Sequence, residues 1–417
     1  MPIPTRPRAW PKPDAVRLSV FYALTMAGTG VSAPYAAAWF GWHGLSGAEI
    51  GLVLGAPMFA RLFTSPALAL WADSFRLRRT SLMIFSGVVA VAYLGVALSK
   101  GLATWLALWL VAASAQSMIA PLTDVLTLRR GRREGFTFGP ARGVGSLAFI
   151  VGNVVMGLVL NRASIEVVMW WLVAAAAGMA VAARLALPAE PVRDRGPASR
   201  ADRFRGMGRL VADPVFMLAI VSVGLINSTH AFYYSFSTLA WAAQGFSKGV
   251  IGLLWAAGVA AEIVFLWFLG PLRRRLGPWR LLALSAIGAI VRWTALAFAP
   301  PLWLVWPLQT LHSLTFTASY LGGLELVERL SPPDSQSAAQ TLSSTLSAGA
   351  IIGPATLLSG VLYDRYGALG YLAMSFMAVI GLGGVLLLRR LALSLGVPLD
   401  GPAAPAASGG VAEGRFD

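Results

Sequence analysis

The sequence predicts an all-α membrane protein of twelve transmembrane helices in two pseudo-symmetric six-helix bundles, both termini cytoplasmic. Three observations predict it: an apolar composition, a series of twelve apolar windows flanked by one-sided positive charge, and a first half that recurs in the second. Of 417 residues, 57% are hydrophobic and only 12% charged, against about 25% charged in a soluble domain. Twelve spans of about 20 residues account for that apolar content. Cysteine is absent and His numbers 3, so there is no disulfide framework, no thiol nucleophile and little material for a metal centre. The formal charge of +15 invites a nucleic-acid reading. The Arg residues, however, sit in short clusters between apolar runs rather than along one basic face. A cytosolic enzyme, a secreted scaffold and a disordered regulator are excluded. No cofactor, metal or nucleic-acid partner is expected, and no Gly-x-x-x-x-Gly-Lys-(Ser/Thr) run offers ATP drive.

Apolar windows run over 18–40, 47–71, 80–99, 102–126, 137–160, 167–187, 214–241, 248–271, 279–299, 302–328, 337–362 and 369–390. The first follows a Pro-rich, basic stretch without a cleavage-site pattern. Lys100-Gly101 parts the third from the fourth and Pro300-Pro301 the ninth from the tenth, breaks that suit tight turns. The polar, Arg-rich stretch 188–213 reads as a solvated linker, and the Gly/Ala/Pro-rich end as a disordered tail. The organisation is therefore an N-terminal tail 1–17, a bundle 18–187, a linker 188–213, a bundle 214–395 and a tail 396–417. With the N-terminus inside, the external loops hold only Lys100, Arg162, Lys248 and Arg365. Arg61, Arg142 and Arg292 fall within windows, and the rest of the 33 Lys and Arg lie on the cytoplasmic side. One miscounted span would destroy that bias. The expected setting is a bacterial inner membrane, as a monomer.

The two halves align on each other. Gly44-Leu45-Ser46 and Ile50-Gly51-Leu52 recur as Gly245-Phe246-Ser247 and Ile251-Gly252-Leu253, an offset of 201 that also sets Arg61 against Glu262 and Asp124 against Glu325. Gly157-x-x-x-Asn161-Arg162 recurs as Gly360-x-x-x-Asp364-Arg365. Parallel repeats of this kind describe a transporter whose site lies near the midplane between the halves.

A charge at mid-membrane costs about 2.5–3.5 kcal/mol on insertion scales, so each in-span charge needs a partner, a watery cavity or an interfacial position. Arg61 and Glu262 read either as an ion pair across the halves or with Glu262 as a titratable carboxylate. Asp124 and Arg142 flank an Arg-rich loop at matching depth. They either staple a helical hairpin or grip a substrate, since Arg offers a planar fork to a carboxylate or a vicinal diol. His230 and His312 read as packing residues or as proton carriers. Tyr233, Tyr234, Phe236, Trp255 and Trp293 concentrate beside His230 and Arg292. They suit an aromatic-lined cavity for a ring-bearing carboxylate held by Arg142 or Arg292.

The run Gly139-Pro-Ala-Arg142-x-x-Gly145-Ser146-x-Ala148-Phe149-x-x-Gly152, with Asp124 eighteen residues before the Arg, resembles the fourth and fifth spans of the lactose permease group. There an acidic residue and an Arg hold sugar hydroxyls while an aromatic stacks on the ring, and Phe149 stands where the sugar carrier has Trp. The sequence is still more similar to the 3-phenylpropionate permease subgroup of the major facilitator superfamily. That likeness rests on Pro121-Leu-Thr-Asp124, His230-Ala-Phe-Tyr233-Tyr234-x-Phe236-Ser237, Leu254-Trp255-x-x-Gly258-Val259-x-Ala261-Glu262, Val291-Arg292-Trp293 and Leu311-His312-x-x-Thr315-Phe316, and covers residues 18–390.

The resemblance implies the major facilitator fold and a secondary active transporter working by alternating access, here proton-coupled uptake of a small aromatic carboxylate. It implies substrate contacts at Asp124, Arg142, Phe149, His230, Tyr233, Tyr234, Trp255 and Arg292, with proton coupling through Glu262, His312 or His230. The sugar symporters carry Lys, His and Glu at three-residue spacing in the tenth span, where this chain has Gln309, His312 and Thr315; Glu262 is therefore the leading proton site. The superfamily loop signature survives only as Ala69-x-x-x-Asp73-Ser74-x-Arg76, echoed by Gly270-x-x-x-Arg274-Arg275-x-Gly277. This suggests a gate between Asp73 and Arg274 or Arg275. The alternatives are a sugar or nucleoside proton symporter, an efflux carrier, and a non-transporting assembly factor of the same fold.

Overall fold

The computed structural model describes residues 12–192, 208–332 and 335–396, so most of the linker and the terminal tails lie outside the described residues. What is described is nearly all helix. The first half comprises α1 (Pro13–Trp42), α2 (Gly47–Asp73), α3 (Arg78–Leu98), α4 (Leu102–Glu134), α5 (Phe138–Leu160) and α6 (Glu166–Leu185). The second begins with α7 (Pro214–Ser228), α8 (Ala231–Ala243), α9 (Lys248–Phe268), α10 (Gly270–Ala297) and α11 (Leu302–Thr310). A π-turn over Ser313–Ala318 leads into α12 (Ser319–Arg329), a second π-turn over Leu346–Ile351 joins α13 (Gln336–Thr345) to α14 (Ile352–Tyr366), and α15 (Tyr371–Ser394) completes the chain. Each expected apolar window falls on one helix or on consecutive helical pieces. Among the described residues, nine helical stretches are long and apolar enough to cross a membrane. Phe63, Trp267, Trp303 and Phe376 stand exposed on outer faces, as lipid-facing side chains do.

The repeated Gly-x-Ser turns start helices by the same chemistry in both halves. Ser46 accepts from the Glu49 backbone N–H while the Glu49 carboxylate accepts from the Ser46 N–H, a reciprocal capping box. Ser247 accepts from the Val250 N–H. The turns themselves need Gly44 and Gly245, whose φ values are +89° and +85°.

At the other end of the bundle the Arg-rich run is not a solvated loop: α4 extends through it to Glu134. Arg130 lies 2.7 Å from the buried Asp14, and Arg133 lies 2.8 Å from Glu190. Glu190 is wholly buried, and the segment around it bridges to Arg76 and Arg78 through backbone bonds. The start of the expected linker is thus fastened to the first half.

The main contacts between the halves run along two seams, where α2 packs against α14 and α5 against α9, with a lesser contact of α1 on α8. Both are lined by glycines. A Cβ on Gly51 would meet the Gly360 Cα at 3.0 Å, and one on Gly252 would meet the Asn153 carbonyl oxygen at 2.6 Å. The backbones approach so closely that no larger residue fits without displacement. At their ends the seams are polar. Asp364 accepts from the Gly47 and Ala48 N–H groups at 2.6 and 2.7 Å, and Asn161 accepts from the Gly249 N–H at 3.2 Å. Each half thereby caps a helix of the other.

Candidate functional site

Between the halves lies a cavity of about 550 Å³, within the range of small-molecule sites. From the first half its wall takes Thr25, Thr29 and Ser32 of α1, Arg61 of α2, Gln116 of α4 and Phe149 of α5. From the second half come Tyr233 and Tyr234 of α8, Trp255 and Glu262 of α9, His312, and Phe316 of the first π-turn. The helices deliver these groups for legible reasons. Spacings of three, four and seven put Thr25, Thr29 and Ser32 on one face of α1. Trp255 and Glu262 are two turns apart on α9.

Behind the second wall is a fully buried network. Arg292, with no solvent exposure, donates through Nη2 to Gln309 Oε1 at 2.6 Å and through Nη1 to Thr315 Oγ1 at 3.0 Å and His312 Nδ1 at 2.9 Å. Its guanidinium also lies over the rings of Tyr233 and Trp293, 4.7 and 4.6 Å from their centroids, a cation–π contact in each case. A guanidinium cannot accept a hydrogen bond, so His312 Nδ1 must be the acceptor. The remaining proton of the neutral ring therefore sits on Nε2, which lies 3.0 Å from Glu262 Oε1 and donates to it. No carboxylate pairs directly with Arg292 among the described residues, and its countercharge reaches it through one imidazole. The π-turn that begins after His312 lets His312 and Thr315 address the same Arg nitrogen, a use typical of such local widenings.

His230 stands at the break between α7 and α8, wholly buried. Its Nδ1 meets the Asn227 carbonyl at 3.1 Å and its Nε2 the Thr315 hydroxyl at 3.2 Å. The backbone carbonyl can only accept, which makes Nδ1 the donor and leaves Nε2 to accept from Thr315. Only Glu262 and His312 of the expected proton carriers reach the cavity. Of the expected substrate contacts, Phe149, Tyr233, Tyr234 and Trp255 line it; His230 and Arg292 lie one layer behind.

Asp124 and Arg142 are brought together but are not part of the cavity wall. They stand 3.9 Å apart, about one-third exposed each. Tyr22 donates to Asp124 at 2.6 Å, and the Arg142 guanidinium lies over its ring at 5.4 Å. Asp73 lies 3.7 Å from Arg78 of its own half. Arg275 makes no ion pair among the described residues, and the Arg274 side chain lies outside them. Arg61 and Glu262, set opposite by the repeat, do not pair either: Glu262 is engaged by His312, and Arg61 makes no hydrogen bond or ion pair among the described residues, its Nε buried without a partner there. Sequence reasoning missed Gln116, Tyr93 and Tyr22. The first is an amide within an apolar window, which was the available signal.

A family model described as the MFS_1 like family matches residues 15–373. The chain belongs to this family. It is 29% identical over 370 residues, 87% of the chain and 94% of the relative, to a protein of Escherichia coli (strain K12) named probable 3-phenylpropionic acid transporter. It is 30% identical over 354 residues, 83% of the chain and 87% of the relative, to the maltose permease of Geobacillus stearothermophilus. The fold matches the crystal structure of the nucleoside transporter NupG with a TM-score of 0.78 at 18% identity, covering 90% of this chain and 99% of that one. This MFS_1-like protein is a multi-pass membrane transporter of the major facilitator type, acting on a small-molecule substrate.

Proposed function

We propose that this transporter takes up a small aromatic carboxylate together with a proton. Residues 18–187 and 214–395 form two six-helix halves, twelve spans in all, that rock about the central cavity in a bacterial inner membrane. The termini and the linker 188–213 are cytoplasmic, and one polypeptide suffices. The observation that carries the reading is the Glu262–His312–Arg292 chain, whose carboxylate end faces the cavity and whose cationic end is sealed in the second half.

In this reading Glu262 carries the proton. Ionised, it takes a charge-assisted bond from His312 Nε2; protonated, it keeps at most a neutral one, a difference of roughly 1 kcal/mol per bond. Protonation thus loosens Glu262 from His312 and changes what the cavity presents to cargo. Coupling requires that kind of differential interaction between states. The rings of Tyr234, Trp255, Phe149 and Phe316 favour a flat apolar body in the cargo, in keeping with the name of the Escherichia coli relative. Asp73 with Arg274 or Arg275 would close the cytoplasmic face in the opposite state, when the glycine seams part.

A second reading, a sugar–proton symporter, draws support from the maltose permease likeness and from the Tyr22, Asp124 and Arg142 group, which suits hydroxyls. Uptake by proteoliposomes of a panel of aromatic acids, sugars and nucleosides, with and without a pH gradient, separates the two. Gradient-dependent uptake of phenylpropanoates is expected. Competition by sugars alone would overturn the substrate class, and uptake indifferent to the gradient would overturn the coupling.

A further inference from the structure

Of the ionisable groups on the cavity wall, Arg61 alone is a fixed cation. It sits on α2 in the first half, while Glu262 and His312, already bonded to each other, sit on the second. Tyr93 and Gln116 line the same cavity. Arg61 makes no ion pair or hydrogen bond among the described residues; its Nε is buried without a partner, as is Gln116 Oε1. The other cations once available to a carboxylate are committed elsewhere. Arg292 is engaged through both terminal nitrogens by Gln309, His312 and Thr315; its Nε is unpartnered too, but the residue has no exposed surface for a ligand to reach, and Arg142 stands with Asp124 and Tyr22 outside the cavity wall.

A half-buried guanidinium facing a largely apolar cavity without an anion is costly to keep. Burial would be relieved by a ligand that brings one negative charge and accepts two parallel N–H bonds, which is the geometry of a carboxylate on a planar fork. From this we infer that Arg61 is the carboxylate receptor of the transport site. The inference rests on the aromatic-acid reading above and deepens it: the cargo's carboxylate docks against the first half on Arg61, and its ring extends toward Tyr234, Trp255 and Phe316 of the second. Gln116, whose amide oxygen is also unpartnered, lies on the same cavity wall.

The test is binding of 3-phenylpropionate and of its neutral isostere 3-phenylpropionamide to the purified full-length chain, as wild type, Arg61→Gln and Arg61→Lys. The wild type should prefer the acid by at least about 30-fold, the low end for a buried charge pair that loses one partner. Arg61→Gln should bring that ratio near one while the amide Kd moves by less than about 3-fold, which also shows the variant to be folded. Arg61→Lys should keep part of the preference, since it retains the charge but not the fork. An Arg61→Gln protein that keeps the wild-type acid-to-amide ratio overturns the inference and leaves the aromatic-acid reading standing. A wild type that binds neither ligand and takes up sugars overturns the reading beneath it, and the inference with it.

Discussion

Asp364 offers the sharpest test of how the halves are held. Its carboxylate accepts two N–H groups from the first turn of α2, at 2.6 and 2.7 Å, where the helix dipole also favours negative charge. Hydrogen bonds to a charged group contribute about 1.5–3 kcal/mol each and neutral ones about 0.5–1.5. Asp364→Asn keeps at most one neutral bond, a net loss of about 2 kcal/mol when the charged bonds are taken at the low end of their range, as suits a partly exposed carboxylate. The contact exists only while α2 and α14 are closed on each other, so the loss falls on this state alone and shifts the ratio of open to closed seam about 30-fold. Asn161 supplies a single neutral bond to Gly249, so Asn161→Ala should move the same ratio only about five-fold, for roughly 1 kcal/mol. The chain has no cysteine, which permits a clean assay. Ser32→Cys places one thiol on the cavity wall, and its alkylation rate by an impermeant maleimide added to the external face of intact cells follows the open population. A rate in Asp364→Asn no higher than in the Asp364 parent would refute the reasoning.

Three further outcomes are expected. Glu262→Gln should bring accumulation under a one-unit pH gradient from about ten-fold down to parity while leaving exchange of internal for external cargo, measured with radiolabel in the same vesicles. One carboxylate and one proton move no net charge, so an imposed potential of 100 mV, worth about 2.3 kcal/mol per charge, should change accumulation less than about two-fold; a neutral sugar carried with a proton would respond roughly 50-fold. Gly360→Ala would drive a methyl into the Gly47 carbonyl, so it should raise external Ser32→Cys alkylation as Asp364→Asn does; an unchanged rate would show that the seam yields elsewhere.

The fold was legible because its determinants are local. Apolar windows, the Ser46 and Ser247 caps and the left-handed Gly44 and Gly245 turns each act within a few residues. The Gly-x-x-x-(Asn/Asp)-Arg motif was visible as a repeat, but its use was not, because capping of the opposite half depends on how two bundles sit together. Position along a helix was also readable, whereas the direction a side chain faces was not. That is why Asp124 and Arg142 meet as their spacing predicts yet stand outside the cavity wall. It is also why Arg61 and Glu262 share the wall without pairing: His312, fixed by Arg292, reaches the carboxylate first. The stretch 129–133 looked like a loop because its carboxylate partners, Asp14 and Glu190, are remote in sequence.

The unpaired cation and the titratable acid belong to different halves of the molecule. With Arg61 receiving the carboxylate and Glu262 the proton, as proposed, charge recognition of the cargo and proton coupling fall to different halves. Grafting the first half of a relative that lacks a cation at this position onto this second half should then produce a chimaera that loses the preference for an acid and keeps its energy source. Such a division of labour would let a duplicated ancestor diversify its diet without reinventing its engine.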